Sequence, residues 1–452
     1  MQFPSTNLSP SEAQNAPIYL HAELLPHIRH ITLQISVSAG DSNAQTHAIP
    51  HSAVKGKNDD VDIALSESRR AVSAETDAGI EAAMETMKLP ARVTASAGYV
   101  LRSRQWQSTG EGRRELSFRM QVDDDADKEK DIGRDEELVG GFVPWRAMDM
   151  GPSTRVRCRG CQGIVLDQPQ SPAGEGEAGK AAASGGGGWV WKDLPSGNWA
   201  EMMDFWHCHK PDPEDGHDHG HHDHAAGGRL EDPNATVKGY GAANQVVATL
   251  GTVLVDVATF LVAAEDCLKN IRCCNCNALL GQVDPIAKGW RLFKTALSAT
   301  PANVTSTSSP IDDEQSEWET HPIEIIVAAQ LLELVERESA RRFVVHCGQK
   351  GGLLIWVFNP DMRYSNSSVD HSVAAQRAMK VFFQRLDDVE RTLHPEVGKP
   401  STTLALEELR LPVETYRALE EVVEERNAML PASAREFREW RVGILHRLQR
   451  RG

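Results

Sequence analysis

Arg157-Cys158-Arg159-Gly160-Cys161-Gln162-Gly163-Ile164-Val165 and Arg272-Cys273-Cys274-Asn275-Cys276-Asn277-Ala278-Leu279-Leu280 are two versions of one pattern, Arg-Cys-x-x-Cys-x-x-apolar-apolar. Two residues between thiols let a tight turn aim both sulfurs at one point, and two such turns make a tetrahedral four-sulfur cage for zinc. Laid on each other, the knuckles match Cys158 with Cys273 and Cys161 with Cys276. Cys274 is a competing ligand, since it forms a C-x-C pair with Cys276; the alignment favours Cys273. Buried packing thiols or redox cysteines are the alternative, and they leave the repeated flanks unexplained. A structural Zn2+ held by Cys158, Cys161, Cys273 and Cys276 is the expectation, and it staples segments far apart in the chain.

The chain has 452 residues, room for two or three domains, and long polar inserts lower the folded count. Its net charge of −16 argues against nucleic-acid or anionic-membrane binding through bulk electrostatics. Basic residues do gather locally at Arg435, Arg438, Arg441, Arg447, Arg450 and Arg451. No apolar run is long enough to span a bilayer; residues 246–264 come nearest and are broken by Thr249, Thr252, Asp256 and Thr259. No basic stretch followed by an apolar one marks a secretory leader. Eight cysteines, mostly in metal-like spacing, fit a reducing compartment better than a disulfide framework, so cytoplasm and nucleus are the expected locations.

Outward from the knuckles, Ile31, Leu33, Ile35 and Val37 alternate with polar residues, as do Leu116, Phe118, Met120 and Val122, the period of half-buried strands. Residues 40–85 read as a long loop with at most a short helix, and the acidic run 123–137 as a solvated loop. Pro322 starts a helix with Ile323, Ile326, Val327, Leu331, Leu334 and Val335 on its apolar face and Glu333, Glu336, Arg337 and Glu338 outside. Phe343–Cys347 and Leu353–Phe358 form a hairpin across a Gly-rich turn, and Met379–Phe383 adds a strand. Residues 413–429 are an amphipathic helix stopped by Pro431, and Trp440, Val442 and Ile444 a closing strand. The fold class is α+β: a β-rich N-terminal half stapled by the four-cysteine zinc site, an α+β C-terminal part and long disordered inserts. In chain order this gives a domain over 18–166, a linker over 167–188, a central segment over 189–298, a linker over 299–319 and a C-terminal domain over 320–452.

Between the knuckles, Trp199, Met202, Met203 and Trp206 recur at helical spacing, and Cys208 and His209 follow where the helix meets prolines. Core packing explains most of that stripe. Trp199, Trp206, Cys208 and His209 together form a candidate partner-binding centre, because a helix end beside prolines suits presentation better than core. The tract from His217 to His224 has a metal-binding composition, but its Gly- and Asp-rich surroundings supply no scaffold to fix ligand geometry.

These residues, in this order, resemble the HECT-like ubiquitin-conjugating-enzyme (E2)-binding protein family. The resemblance lies in Cys158-x-x-Cys161, Leu194-Pro195-Ser196-x-Asn198-Trp199 and Trp206-x-Cys208-His209-x-Pro211-Asp212-Pro213. It continues through Cys273-x-x-Cys276-x-x-Leu279-Leu280-Gly281 and Leu353-x-Ile355-Trp356-Val357-Phe358-Asn359-x-Asp361. Ala378-Met379-Lys380-Val381 and Asn427-x-x-Leu430-Pro431-x-Ser433-x-Arg435 complete it. It implies a protein that binds a ubiquitin-charged E2 and acts as a ubiquitin ligase (E3), with ubiquitin and cyclin among its partners. It also implies an alternative: a non-catalytic assembly factor that binds the endonuclease of the pre-mRNA cleavage and polyadenylation machinery.

Ligation through a thioester requires an exposed, thiolate-competent cysteine. With four cysteines on zinc, Cys208, Cys267, Cys274 and Cys347 remain. Acidic neighbours disfavour a thiolate at Cys267, and Cys347 lies outside the shared motifs. Cys208, flanked by His207 and His209, is the candidate catalytic thiol; buried packing, or a metal site shared with His209, are its competing readings.

Overall fold

The structure, a computed structural model, describes residues 16–38, 61–76, 83–103, 105–108, 113–123, 141, 143–169, 188–194, 246–268, 271–302, 318–368, 371–395 and 406–449. The expected acidic loop, the Trp199–Trp206 helix and the His-rich tract lie outside these residues, apart from Asp123. Among those described, the strands before residue 142 are β1 (Ile18–Leu25), β2 (His30–Ser38), β3 (Val61–Leu65), β4 (Ala71–Thr76), β5 (Ala83–Lys88), β6 (Gln107–Ser108) and β7 (Arg113–Gln121). The middle of the chain forms β8 (Val156–Cys158), β9 (Ile164–Leu166), β10 (Val190–Asp193), β11 (Thr252–Val255), β12 (Thr259–Val262), β13 (Gly281–Asp284), β14 (Gly289–Phe293) and β15 (Leu297–Ala299). The last part forms β16 (Arg342–His346), β17 (Gly352–Asn366), β18 (Gln376–Leu386), β19 (Leu406–Arg410), β20 (Glu436–Phe437) and β21 (Trp440–His446). Two units result: Met1–Phe142 with Ala340–Gly452, and Val143–Ser339.

The first unit is built on a ten-stranded sheet in the order β20-β21-β18-β17-β1-β2-β7-β6, with β16 also on β17 and β19 on β16. β1 pairs antiparallel with β17, setting His21 opposite Asn366 and Glu23 opposite Tyr364. Strands from both ends of the chain therefore share one sheet, which differs from the chain-order division into 18–166 and 320–452. Alternation tells which face of a strand is buried and says nothing about its neighbour.

Ile31, Leu33, Ile35 and Val37 of β2 and Leu116, Phe118 and Met120 of β7 are buried, as their alternation requires. They share a core with Ile18 and Leu20 and with Val72 and Met87 of a second sheet, β3-β4-β5. That second sheet corrects the loop expected over residues 40–85. Its buried positions are few and partly small (Val61, Val72, Ala74, Met87), so the apolar signal was too sparse to register as strand. The C-terminal expectations match more closely: β16 and β17 form the hairpin, the helix spans Val413–Met429, and β21 pairs with β18.

One face of β1 is polar and still buried: Tyr19, His21 and Glu23 alternate there. Lys380 Nζ donates to both oxygens of Glu23, at 2.9 and 2.7 Å, and His21 Nε2 lies 3.2 Å from Oε1. Burial alone would raise the Glu23 pKa; Lys380 and then His21 outweigh it and hold the carboxyl well below the usual range. The Asn427-to-Arg435 motif is a clasp in the same unit. Asn427 Nδ2 donates to the carbonyls of Arg435 and Val442, Leu430 is buried, and Arg435 Nε donates to the Leu430 carbonyl at 2.9 Å. Glu115 accepts from the amides of Ala432 and Ser433.

The second unit holds a five-stranded sheet, β10-β11-β12-β14-β13, and a three-stranded one, β15-β8-β9. Trp145, Val156, Trp189, Phe260 and Leu292 fill its core. The helix Ile323–Glu338 begins directly after Pro322. Glu333, expected outside, is buried and accepts from Arg337 at 2.7 Å, so an i,i+4 ion pair carries it inward. Lys294 is fully buried and donates through Nζ to the Pro144 carbonyl at 2.7 Å. Burial pushes its pKa down to about 7, with Asp256, Asp193 and Asp149 pulling the other way. Among the described residues no helix is long and apolar enough to cross a membrane.

Candidate metal centre

Each knuckle is a short hairpin with the same backbone hydrogen bonds. In the first, the Cys158 amide donates to the Gly163 carbonyl and the Gln162 amide to the Cys158 carbonyl, both at 2.9 Å. In the second, the Cys273 amide donates to the Ala278 carbonyl at 2.9 Å and the Asn277 amide to the Cys273 carbonyl at 2.8 Å. The residue after the second cysteine is left-handed in both, Gln162 at φ +63° and Asn277 at +59°. That single reversal curls the chain back so that both thiols of a knuckle point inward. The sequence repeat is thus a conformational repeat. The arginines that open it have no common role: Arg157 stacks over Trp318, whereas Arg272 donates to the Asn277 carbonyl.

The flanking strands bring the knuckles together. β8 carries Cys158 and pairs with β15, placing Leu297 opposite Cys158. The second knuckle leads into β13, paired with β14. All four sulfurs lie within 4.8 Å of one another. Cys158 Sγ sits 3.6 Å from Cys276 Sγ, and Cys161 Sγ 3.4 Å from Cys273 Sγ, so the first thiol of each knuckle meets the second of the other. Tetrahedral zinc with bonds of about 2.3 Å needs sulfur–sulfur edges of about 3.8 Å, inside the observed spread. The donor set, its number and its spacing fit a four-coordinate metal ion. Cys273 is in the cluster, whereas Cys274 is exposed and outside it.

Burial pushes the Cys158 thiol up to about 12, against the pull of the Cys161 and Gly160 amides. Burial also opposes ionisation of Cys273, but the amides of Cys276 and Asn275 outweigh it and bring that thiol down to about 6. Backbone donors thus stabilise negative sulfur here before any cation is considered. A divalent ion held by Cys158, Cys161, Cys273 and Cys276 would supply the charge that lets all four thiols ionise together.

Of the other sequence-derived site residues, Trp199, Trp206, Cys208 and His209 lie outside the described residues. Among the remaining described thiols, burial and then Asp266 push Cys267 up to about 12, which disqualifies it as a nucleophile near neutrality. Cys347 is half-buried, after His346, which is bonded to Glu408 at 2.7 Å. Sequence reading missed Lys294 and the Glu23–Lys380 pair; isolated charged residues in strand-like context carry no signal of burial.

Residues 23–442 match the family described as HECT-like Ubiquitin-conjugating enzyme (E2)-binding. An uncharacterized protein of Saccharomyces cerevisiae is 27% identical over 255 residues, covering 56% of this chain and 62% of the relative. An uncharacterized protein of Schizosaccharomyces pombe is 26% identical over 320 residues, covering 67% of this chain and 77% of the relative. The match thus spans about three fifths of the budding-yeast relative's length. No solved structure matches.

Proposed function

Since the chain belongs to the HECT-like E2-binding family, we propose that it binds a ubiquitin-conjugating enzyme and acts as an E3 ubiquitin ligase, with zinc as a structural cofactor. The observation that supports this reading is the family match over residues 23–442, which takes in both knuckles and the strand motifs. The metal centre fits a structural role: four protein ligands close the coordination sphere and leave no position for substrate. Ligation through a thioester rests on a thiol outside the cluster, and Cys208 is the proposed acceptor. Cyclin is the proposed target, and cytoplasm and nucleus the proposed locations.

Discharge of a ubiquitin-charged E2 by the purified chain tests this reading, with Cys208→Ala, Cys274→Ala and Cys347→Ala beside the wild type. Discharge that depends on one cysteine, through an adduct cleaved by reductant, makes the protein a thioester-forming ligase. Discharge unaffected by all three changes makes it a scaffold that activates the E2 in place. No E2 binding and no discharge, with stable capture of the pre-mRNA 3′-end endonuclease, overturns the ligase reading in favour of an assembly factor.

A further inference from the structure

The motif Leu353-to-Asp361 plays no part in the metal centre, and its geometry is unusual for a strand. Along β17 and β18, Val357 faces Val381 and Asn359 faces Lys380, so Phe358 is an extra residue without a partner. A second irregularity follows between Asn359 and Met362. It is pinned by the Asn359 side chain, which accepts from the Asp361 amide at 3.1 Å, and by Arg377 and Arg447, which both donate to Asp361. Bulges re-aim side chains and end regular pairing. Here the result is a phenylalanine 45% exposed in the middle of a sheet.

Phe358 is the rim of an aromatic platform. It stacks on Phe382 (4.7 Å between ring centroids), which stacks on Phe437 (5.1 Å). Trp356 meets Phe358, Phe382 and Trp440 edge-on at 5.9, 5.3 and 5.8 Å. Five rings thus gather across β17, β18, β21 and β20 in a chain that is only 6% aromatic. Phe437, the opposite rim, is 43% exposed. It ends β20 at a tight turn, since Phe437 pairs with Trp440 and two residues lie between. Arg438, the first of those, is left-handed at φ +57°, a position such turns ordinarily give to glycine. An unpaired bulge residue and a strained turn residue therefore flank the same platform, and neither helps the sheet to form.

Two guanidiniums cover the rings: Arg342 lies 5.0 Å over Trp356, and Arg438 5.4 Å over Phe437. Neither has a carboxylate partner among the described residues. An arginine stacked flat on a ring keeps its N–H edge free for a carboxylate. We propose that this platform docks a linear segment of a partner protein carrying a bulky apolar side chain flanked by carboxylates. The rings take the apolar side chain and Arg342 and Arg438 the acids. Single-stranded nucleic acid also stacks on aromatic sheet faces. The chain's net charge of −16 repels a polyanion, however, while the exposed Arg438 and the half-buried Arg342 suffice for one or two carboxylates.

The proposal is tested on the full chain with an array of short peptides, each placing Leu, Phe or Trp between flanking Glu, Gln or Lys. Labelled oligouridylate and sedimentation of the chain alone accompany it. Expected is preferential binding of the Glu-flanked peptides, weakened about tenfold by Phe358→Ser and by Arg438→Glu, which alter exposed side chains. Phe437→Ser should act likewise, and unchanged melting temperatures exclude unfolding as the cause. Binding that ignores these substitutions or the flanking charge overturns the proposal, as does an array with no binder. Preferential capture of oligouridylate, or self-association abolished by Phe437→Ser, also overturns it, by assigning the platform to RNA or to a second copy.

Discussion

The two units solve the same problem, joining distant stretches of chain, by different physics. In Val143–Ser339, segments more than a hundred residues apart meet through four sulfurs on two short turns. In the other unit, the separation is larger and is closed by β1 against β17, with buried Glu23 paired to the half-buried Lys380 on its polar face. A metal ion rewards a few residues placed with accuracy. Strand pairing spreads the same task over the four-pair register of β1 with β17 and the sheet on either side of it, so one substitution there removes only part of what holds the ends together. With a metal ion on its four sulfurs, the first unit named should fail abruptly when one ligand is lost, and the sheet unit by degrees.

The largest expected effect follows from that. Cys158→Ser with Cys273→Ser should abolish tight zinc binding and forfeit metal-linked folding free energy on the order of 10 kcal/mol. Metal analysis should give one zinc per chain for the wild type and none for the variant. Amide exchange should rise first in β8, β9 and the second knuckle. Full zinc content and unchanged melting in the variant would show that the sulfurs pack without a metal, and the contrast between the units would collapse.

This asymmetry also explains what was legible beforehand. The knuckles could be read because each is complete in nine residues and its chemistry is written in residue type; even the choice of Cys273 over Cys274 follows from alignment. β2, β7, the β16–β17 hairpin and the helix at Val413–Met429 could be read because local periodicity encodes them. The pairing of β1 with β17 could not, because nothing near His21 names Asn366 as its partner. The bulge at Phe358 was hidden for a similar reason: Trp356, Val357 and Phe358 suit a continuous strand, and only the register against β18 shows the extra residue. For the candidate site, the four-cysteine cluster was legible, while the partner-binding centre at Trp199, Trp206, Cys208 and His209 stays a reading of sequence.

Glu23→Ala probes the other side of the comparison. It leaves the half-buried Lys380 without its carboxylate; breaking a fully buried pair costs about 3–5 kcal/mol, and partial exposure of the ammonium puts this one at or below the lower end, about 3 kcal/mol. Urea denaturation should show that loss, with exchange rising along β1, β17 and β18 and zinc content unchanged. The pair should also make the wild type acid-sensitive. A carboxyl held low in the folded state contributes its stability above the unfolded pKa and loses it as pH falls through the folded one. A Glu23→Ala protein as stable as wild type at neutral pH would mean that strand pairing alone closes the sheet.

Lys294 gives the four-cysteine unit a pH dependence of its own. Its folded pKa of about 7 lies below its ordinary value of 10.5, so between those values the unfolded chain binds the extra proton. Stability should therefore rise with pH across that window, by at most about 1.4 kcal/mol per unit, and be lowest below it. Lys294→Met should remove this slope while adding a constant cost for the Pro144 carbonyl left without its donor. The informative quantity is the difference between the two proteins' stability curves. A flat difference would place the ammonium in a better-solvated setting than its burial indicates.

The smallest effect concerns Arg438 and asks whether the sheet unit stores strain at its platform. A left-handed φ of +57° costs a residue with a side chain about 1 kcal/mol relative to glycine. Arg438→Ala and Arg438→Gly both delete the stacking on Phe437, so that loss cancels between them. What remains is the Cβ penalty at the turn, offset in part by the greater freedom of glycine in the unfolded chain. The glycine variant should be the more stable of the two by up to about 1 kcal/mol in chemical denaturation. It should bind the acidic peptides no better than the alanine variant, because both lack the guanidinium. Equal stability would show a relaxed turn, and Phe437 would then be exposed by ordinary hairpin geometry. A clear gain for glycine would show that the sheet tolerates a strained arginine where a better-folding residue was open to it.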